Sequence, residues 1–207
     1  MPPDTPDDDT PDDDAALVAR LQAGDEGAFV TLVERYHTPL LRLAATFVPN
    51  AAVAEEVVQD TWLGVVRGID RFEGRSSLKT WLFRILVNRA RTTGVRERRQ
   101  IPVDLERAPA VPPERFGPGG QWSDPPVPWT DDAEDRIVAS ATAERVVAHL
   151  AGLPEAQRQV VVMRDFEQLP AAEICALLDI SEANQRVLLH RGRSKIRSLL
   201  EAELGKV

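Results

Sequence analysis

Basic side chains gather on one predicted helix near the end of this 207-residue chain. They follow one another at Arg186, His190, Arg191, Arg193, Lys195 and Arg197. Guanidinium and ammonium groups bind phosphate, and arginine also forms paired hydrogen bonds to the edge of guanine. The apolar pattern of residues 171–178 precedes this helix, Asp179 and Ile180 form a turn, and Ser181 is a favourable N-cap. This arrangement predicts a helix-turn-helix whose second helix enters the DNA major groove.

A second block of basic residues lies in the first half of the chain. Residues 75–100 contain eight bases and one acid, Glu97. The bases are Arg75, Lys79, Arg84, Arg89, Arg91, Arg96, Arg98 and Arg99. Aromatic and polar side chains accompany them at Phe72, Ser76, Ser77, Thr80, Trp81, Phe83 and Asn88. Single-stranded DNA is bound by such a mixture, because bases stack on flat apolar faces while cations follow the phosphates.

This block also has a simpler interpretation. Trp81, Leu82, Ile85 and Leu86 lie at helical spacing, so they could form the buried face of an ordinary amphipathic helix whose arginines face water. The order of the segments favours DNA binding instead. Two basic modules on one chain are what we expect of a protein that binds two separated promoter elements.

The net charge of −8 is distributed very unevenly. Residues 1–14 carry seven aspartates and no base, and residues 101–135 carry eight acids and two bases. Local patches, not the overall charge, therefore decide which surface meets phosphate. We expect a disordered acidic tail at 1–14 and an extended, acidic, proline- and glycine-rich linker at 101–133.

Helical periodicity covers the rest of the chain and no strand pattern persists, so we expect an all-α fold. Two small helical domains, at 15–100 and 134–207, would be joined by the flexible linker. Asp25 and Asn50 are expected to cap helices, Pro39 to bend or interrupt one, and Pro154 to occupy the first position of another. The third helix, at about 51–68, should bury the apolar stripe Val53, Val57, Val58, Trp62, Val65 and Val66. Ile137, Val138, Val146, Val147 and Leu150 form the first stripe after the linker.

Several kinds of site are disfavoured by the composition. Cys175 is the only cysteine, which excludes a disulfide within the chain and a cysteine-rich metal site, and we expect its thiol to be buried. His37, His149 and His190 are scattered, so no zinc site and no cofactor are expected. No apolar run is long enough to cross a bilayer, and no apolar signal segment begins the chain, so we expect an intracellular protein.

Four segments, taken in order, resemble a known family. They are the helix at 54–62, the turn at 71–74, the stretch at 80–88 and the unit at 153–200. Together they are similar to the sigma-70 family of sigma factors, in its small extracytoplasmic-function type. The resemblance extends from about residue 15 to residue 200, apart from the linker.

The resemblance implies a non-enzymatic function. A protein of this type binds core RNA polymerase, through the clamp helices of the largest subunit and the flap of the second subunit, and has no small-molecule substrate. It recognises the −10 and −35 promoter elements and promotes strand opening. An anti-sigma factor is the implied inhibitor. The implied location is the cytoplasm, at the nucleoid within the holoenzyme, and a membrane-bound anti-sigma factor could hold the protein at the membrane.

The resemblance also implies three sets of site residues, with no catalytic and no metal-binding residues among them. Contacts to the −10 element fall on Phe72, Gly74, Arg75, Ser76, Ser77, Lys79, Thr80, Trp81, Arg84, Asn88 and Arg91. Contacts to the −35 element fall on Ser181, Glu182, Asn184, Gln185, Arg186, His190, Arg191, Arg193 and Lys195. Contacts to the polymerase fall on Gln59, Asp60, Trp62, Arg67 and Asp70. Trp62 could equally be a core residue.

The reading helix departs from the family at Asn184, Gln185 and Leu188, which would alter the preferred −35 sequence or serve packing. The linker could mimic nucleic acid in the polymerase cleft or be a passive tether, although Trp122 and Trp129 are unusual in a plain tether. The tail at 1–14 could shield the basic surfaces from DNA or keep the protein soluble.

Two other classes of protein are alternatives. An ordinary helix-turn-helix regulator with a sensing N-terminal domain would explain the C-terminal unit but not the 72–99 block. An enzyme would use Glu55, Glu56 and Asp60 as metal-binding carboxylates, yet no histidine pattern accompanies them.

Overall fold

The computed structural model of the protein describes residues 11–100 and 149–204. The N-terminal unit consists of α1 (Pro11–Gln22), α2 (Glu26–Ala44), α3 (Ala51–Gly68) and α4 (Leu78–Gln100), with a 3₁₀ turn at Ile69–Arg71. The C-terminal unit consists of α5 (Glu155–Val161), a π-helical segment (Val162–Phe166), α6 (Ala171–Leu178) and α7 (Glu182–Leu204). No residue in these two ranges lies in a strand, so the all-α prediction is confirmed.

Short polar side chains start the main helices, as the sequence predicts. The Asp25 carboxylate accepts the Ala28 amide at 3.1 Å, and the Asn50 side chain accepts the Val53 amide at 2.9 Å. Ser181 accepts the Asn184 amide at 3.2 Å at the start of α7. Each cap satisfies an amide that has no partner within its helix.

Pro39 does not interrupt its helix, and Pro154 lies one position before the predicted one. Pro39 lies inside α2, which continues without interruption from Glu26 to Ala44. Tyr36 and Leu40 on either side are buried, and this packing offsets the backbone hydrogen bond that proline cannot make. Pro154 is the N-cap of α5 and not its first helical residue.

The core of the N-terminal unit lies between α2, α3 and α4. Leu32, Leu40, Val57, Leu82 and Leu86 are among its buried side chains. Two apolar assignments made from the sequence are wrong. Val66 is 57% exposed instead of belonging to the buried stripe, and Phe83 is fully buried, so it offers no face to DNA.

The C-terminal unit is held together where α5 and α7 cross. At Gly192 an added Cβ would lie 2.6 Å from Cγ2 of Val161, so only glycine permits this close approach. The turn before α7 depends on Asp179, which ends α6 in the left-handed conformation (φ 56°), while the Ile180 amide donates to the Cys175 carbonyl at 3.1 Å. Helices α6 and α7 thus form the predicted helix-turn-helix.

Other sequence expectations concern the ends and the middle of the chain. Residues 11–14 belong to α1, so the predicted disordered tail is too long at its C-terminal end. The linker at 101–133, Trp122, Trp129 and the stripe from Ile137 to Val147 lie outside the described residues. In the ranges that are described, no helix is long and apolar enough to span a membrane.

Candidate nucleic-acid interface

The first half of α7 presents one solvent-facing surface. Its exposed side chains are Glu182, Asn184, Arg186, Val187, His190 and Arg191. Arg186 lies 3.3 Å from Glu182 in a pair whose two side chains remain mostly exposed, so its guanidinium can leave for another partner at little cost. The helix therefore offers amide, imidazole and guanidinium groups to a ligand, which are the groups that read base edges and bind phosphate.

Two predicted members of this surface are engaged within the protein, one by burial and one by an ion pair. Gln185 is only 2% exposed, because its position on the helix turns its side chain towards the core. Arg193 donates to both carboxylate oxygens of Asp165, at 3.0 and 2.5 Å, and so fastens α7 to the π-helical segment. Both were predicted to contact DNA; in this structure the side chain of Gln185 is buried and that of Arg193 is paired with Asp165. Lys195 is half-buried, beyond the exposed group.

Val187 does not belong to the −35 set inferred from the sequence. It is 45% exposed and lies between Asn184 and Arg191 at helical spacing on the same surface. An apolar side chain in this position can contact the methyl group of thymine. Its spacing from Asn184 and Arg191 would have been the signal, since three residues at i, i+3 and i+7 share one face.

The loop between the 3₁₀ turn and α4 borders a cavity of about 610 Å³. Its walls are Asp14, Ala15, Val18, Phe72, Glu73, Gly74, Ser76, Ser77 and Leu78. Gly74 has a φ of 68°, which glycine adopts without strain. Gln22 donates to the carbonyls of Ile69 and Phe72, both at 3.1 Å, and this ties the loop to α1. Apolar walls with hydroxyls and carboxylates among them suit a flat heterocycle such as an unstacked base.

Aromatic packing fixes one side of this cavity. The rings of Phe72 and Trp81 have centroids 5.2 Å apart with planes inclined by 53°. Both rings are half-buried, so each keeps an accessible portion. Ser77 caps α4 by accepting the Thr80 amide at 3.1 Å, which orients the start of the helix beneath the loop.

The remaining −10 residues fall into two groups. Arg75, Arg84 and Asn88 are exposed, and Lys79 and Arg91 are half-buried. Thr80 is 2% exposed, and its hydroxyl donates to a carboxylate oxygen of Glu173 in the C-terminal unit. In the described conformation, the loop therefore lies beside exposed basic side chains, whereas Thr80 is buried.

A separate surface runs along α3 and the 3₁₀ turn. Gln59, Asp60, Leu63, Val66, Arg67 and Asp70 are exposed there. Leu63 and Val66 are 52% and 57% exposed, and the sequence had suggested neither for an interface. Trp62 is half-buried and packs edge-on against Phe29, with centroids 5.9 Å apart, so this ring belongs mainly to the core. Asp60 also faces Arg89 of α4 at 3.8 Å.

The acidic residues on α3 do not gather into one site. Glu55 lies 4.0 Å from His37 and Asp60 turns towards Arg89. Within the two described ranges, no group of three or more histidine, cysteine, aspartate or glutamate side chains could hold a metal ion. Cys175, expected to be buried, is partly exposed as a free thiol.

Two carboxyl groups have shifted pKa values. Hydrogen bonds from Arg20 and from the Ala28 amide lower the pKa of Asp25. Burial raises the pKa of Glu167, although Arg42 and Lys79 act in the opposite direction. Burial thus disfavours the charged form of Glu167, which lies where the two units meet.

Comparisons with known proteins match both units. Sigma-70 region 2 matches residues 32–100 and Sigma-70 region 4 matches residues 143–196. The ECF RNA polymerase sigma-E factors of Escherichia coli K12 and Salmonella typhimurium LT2 are each 32% identical over 184 residues, covering 88% of this chain and 92% of theirs.

Solved structures show the same fold. CnrH, in complex with the cytosolic domain of CnrY, aligns over 91% of this chain and 97% of its own, with a TM-score of 0.57 and 23% identity. The sigma factor RpoE from Bartonella quintana, in complex with the anti-sigma factor NepR, aligns over 84% of this chain and 96% of its own, with a TM-score of 0.54 and 20% identity.

Proposed function

Because the chain belongs to the extracytoplasmic-function group of the sigma-70 family, we propose which of its surfaces bind promoter DNA and which binds the polymerase. As an RNA polymerase sigma factor of this group, it directs core polymerase to promoters. The domains of the proposal are residues 15–100 for the polymerase and the −10 element and residues 134–207 for the −35 element. The acidic linker at 101–133 joins them, and no catalytic residue is required.

The exposed surface of α7 is proposed to read the −35 element in the major groove. Arg186 and Arg191 would contact guanine edges or phosphate, Asn184 an adenine edge, and Val187 a thymine methyl group. His190 adds a further polar group, with Glu182 and Ser181 at the helix start. Gln185 and Arg193 are left out, because their side chains are engaged within the protein.

The loop cavity is proposed to receive a base unstacked from the −10 element. Opening the strands costs a few kcal/mol for each base step, and contacts in the cavity and with phosphates offset that cost. Ser76 and Ser77 offer hydroxyls, and Phe72 and Trp81 offer ring surface. The cations that would follow the strand are Lys79, Arg75, Arg84 and Arg91, with Asn88 on the same side.

The α3 surface is proposed to dock on the polymerase. Leu63 and Val66 are exposed apolar side chains that Gln59, Asp60, Arg67 and Asp70 surround, and an apolar centre with a polar rim is typical of protein interfaces. The sigma-E relatives are named as RNA polymerase factors, in keeping with this role. We further propose a cytoplasmic location, and inhibition by an anti-sigma factor, the kind of partner that RpoE has in its solved complex.

One observation carries this proposal: the chain exposes basic and polar side chains at two separate places, on α7 and around the start of α4, and exposes apolar side chains at a third, on α3. The experiment is transcription from cognate promoters with purified core polymerase and this protein. A promoter-specific transcript is expected only when both are present. If the protein alone protects a palindromic site and no transcript appears on any cognate template, the alternative of an ordinary helix-turn-helix regulator is correct.

A further inference from the structure

The last residue of α1 is hydrogen-bonded to the start of the loop that borders the cavity. Gln22 ends α1, and its side-chain nitrogen Nε2 donates to the carbonyl oxygens of Ile69 and Phe72, both at 3.1 Å. The same helix also supplies part of the cavity wall, at Asp14, Ala15 and Val18. Helix α1 and the loop are therefore two walls of one cavity, and Gln22 joins them.

Helix α1 is the wall whose position is fixed by packing. Leu17 and Leu21 are buried in the core of the N-terminal unit. The carboxylate of Asp14 lies 3.6 Å from the guanidinium of Arg35 in α2. Gly24, with a φ of 77°, donates its amide to the carbonyl of Leu21 at 3.0 Å, and a left-handed glycine is a common helix stop. These contacts define the place at which α1 ends, and Gln22 lies at that place.

The loop is the wall that needs support. Glu73, Gly74, Arg75 and Ser77 are exposed, so packing contributes little to the conformation of the loop. A Cβ added at Gly74 would find no other atom within 4 Å. Glycine loses more conformational freedom on ordering than any other residue. One defined loop conformation therefore depends on the hydrogen bonds at the ends of the loop.

The two carbonyls that accept from Gln22 mark the point where the chain enters the loop. Ile69 begins the 3₁₀ turn, and its carbonyl also accepts the Phe72 amide at 3.0 Å. Phe72 follows the turn in an extended conformation, with φ −73° and ψ 114°. Its ring lines the cavity and packs against Trp81. Gln22 thus holds the backbone of a residue whose side chain forms part of the cavity wall.

We propose that Gln22 is a positioning residue for base capture, because its amide holds the loop in the conformation that receives a base beside α1. The proposal rests on the −10 function proposed above and adds a residue of α1 to it. Gln22 acts through the loop and does not need to touch DNA. A cavity that is already in its binding conformation avoids the cost of ordering the loop when the base arrives. Loss of the amide should therefore weaken the binding of bases and leave the binding of phosphates unchanged.

The test uses the variant Q22M, in which a side chain of similar length replaces the amide without adding a charge. T31V is the matched control, because the Thr31 hydroxyl donates to the Gly27 carbonyl at 3.0 Å, a bond that does not involve the loop. Hydrogen exchange of the amides at 73–77 reports the order of the loop. Fluorescence anisotropy compares two single strands of equal length, one of mixed sequence and one fully abasic. Both strands are titrated with the complex of core polymerase and the full chain, and binding to core polymerase alone is subtracted.

Q22M is expected to exchange its loop amides faster and to bind the mixed-sequence strand less tightly, with unchanged binding of the abasic strand, while T31V resembles wild type in all three measurements. If about one tenth of the Q22M molecules keep the loop in its binding conformation, apparent binding weakens about tenfold.

Three results would contradict the proposal. Unchanged exchange, or equal weakening for the two strands, would overturn the positioning role of Gln22. Unchanged binding of the mixed-sequence strand by Q22M, when wild type prefers that strand to the abasic one, would overturn the same role and leave base capture intact. Wild type that does not prefer the mixed-sequence strand would overturn base capture and the positioning role together.

Discussion

Single residues decide which part of α7 can read DNA. Val187 and Gln185 are two positions apart, yet Val187 is 45% exposed and Gln185 is 2% exposed. Spacing along the sequence predicts that the helix exists, but the choice between these two depends on how α7 sits on α5 and α6. The predicted −35 set therefore contains exposed residues such as Arg186 and Arg191 together with Gln185, which is buried, and Arg193, which is paired with Asp165.

At this scale we predict that R186A and R191A each weaken binding to duplex −35 DNA by about 1–3 kcal/mol for a lost bidentate base contact. The reason is that both guanidinium groups lie on the exposed surface of α7. R197A is the matched control, because Arg197 is an exposed arginine of the same helix six residues beyond Arg191. Binding measured by anisotropy that is unchanged in both variants would remove α7 from the reading role.

Among the elements, the helix-turn-helix depends on the crossing of α5 and α7. We predict that G192A lowers the free energy of unfolding by about 1–3 kcal/mol, because the new methyl group would lie 2.6 Å from Val161 Cγ2. Chemical denaturation followed by circular dichroism measures this loss.

The double variant G192A/V161A provides the control for that prediction. Removing the methyl groups of Val161 makes room for the new Cβ, so the two substitutions should couple and part of the loss should return. Strictly additive losses would show that the close approach at Gly192 does not limit the packing.

Some features of the helices could be predicted from the sequence better than others. Caps at Asp25, Asn50 and Ser181 act over three residues, so local pattern suffices to predict them. The exposed side of α3 was harder to predict, because Val66 fits a helical apolar stripe and only the packing of α2 and α4 shows that it faces outward. Leu63 was missed for the same reason. The loop cavity was predicted only in part, since Phe72, Gly74, Ser76 and Ser77 line it as expected, whereas the α1 residues Asp14, Ala15 and Val18 were not suspected.

For the whole molecule, the contact between units could not be predicted at all. Arg42 and Glu167 are separated by 125 positions, and Thr80 and Glu173 by 93. Neither pair belongs to a motif, and each carboxylate on its own looks like an ordinary solvated residue. Only the tertiary arrangement shows that these carboxylates of the C-terminal unit contact α2 and the start of α4.

The same contact predicts a dependence on pH. Burial raises the pKa of Glu167 when the two units are in contact. The form with the units in contact, here called the closed form, therefore binds a proton more readily than an open form in which they are apart. As the pH falls from above this raised pKa towards the ordinary glutamate value, the closed form should therefore gain stability. Scattering between neutral and mildly acidic pH measures the change, and E167Q should remove most of it. A radius of gyration that grows on mild acidification in folded wild-type protein would contradict the prediction.

The length of α4 has a consequence for promoter geometry. Its 23 residues span about 34 Å, since each helical residue rises 1.5 Å. This is close to one complete turn of B-form DNA. Because Leu78, the first residue of α4, lines the loop cavity, a base bound there as proposed would lie about one duplex turn from the last residue of the helix. We therefore expect α4 to contribute a rigid span of this length to the spacing between the two promoter elements.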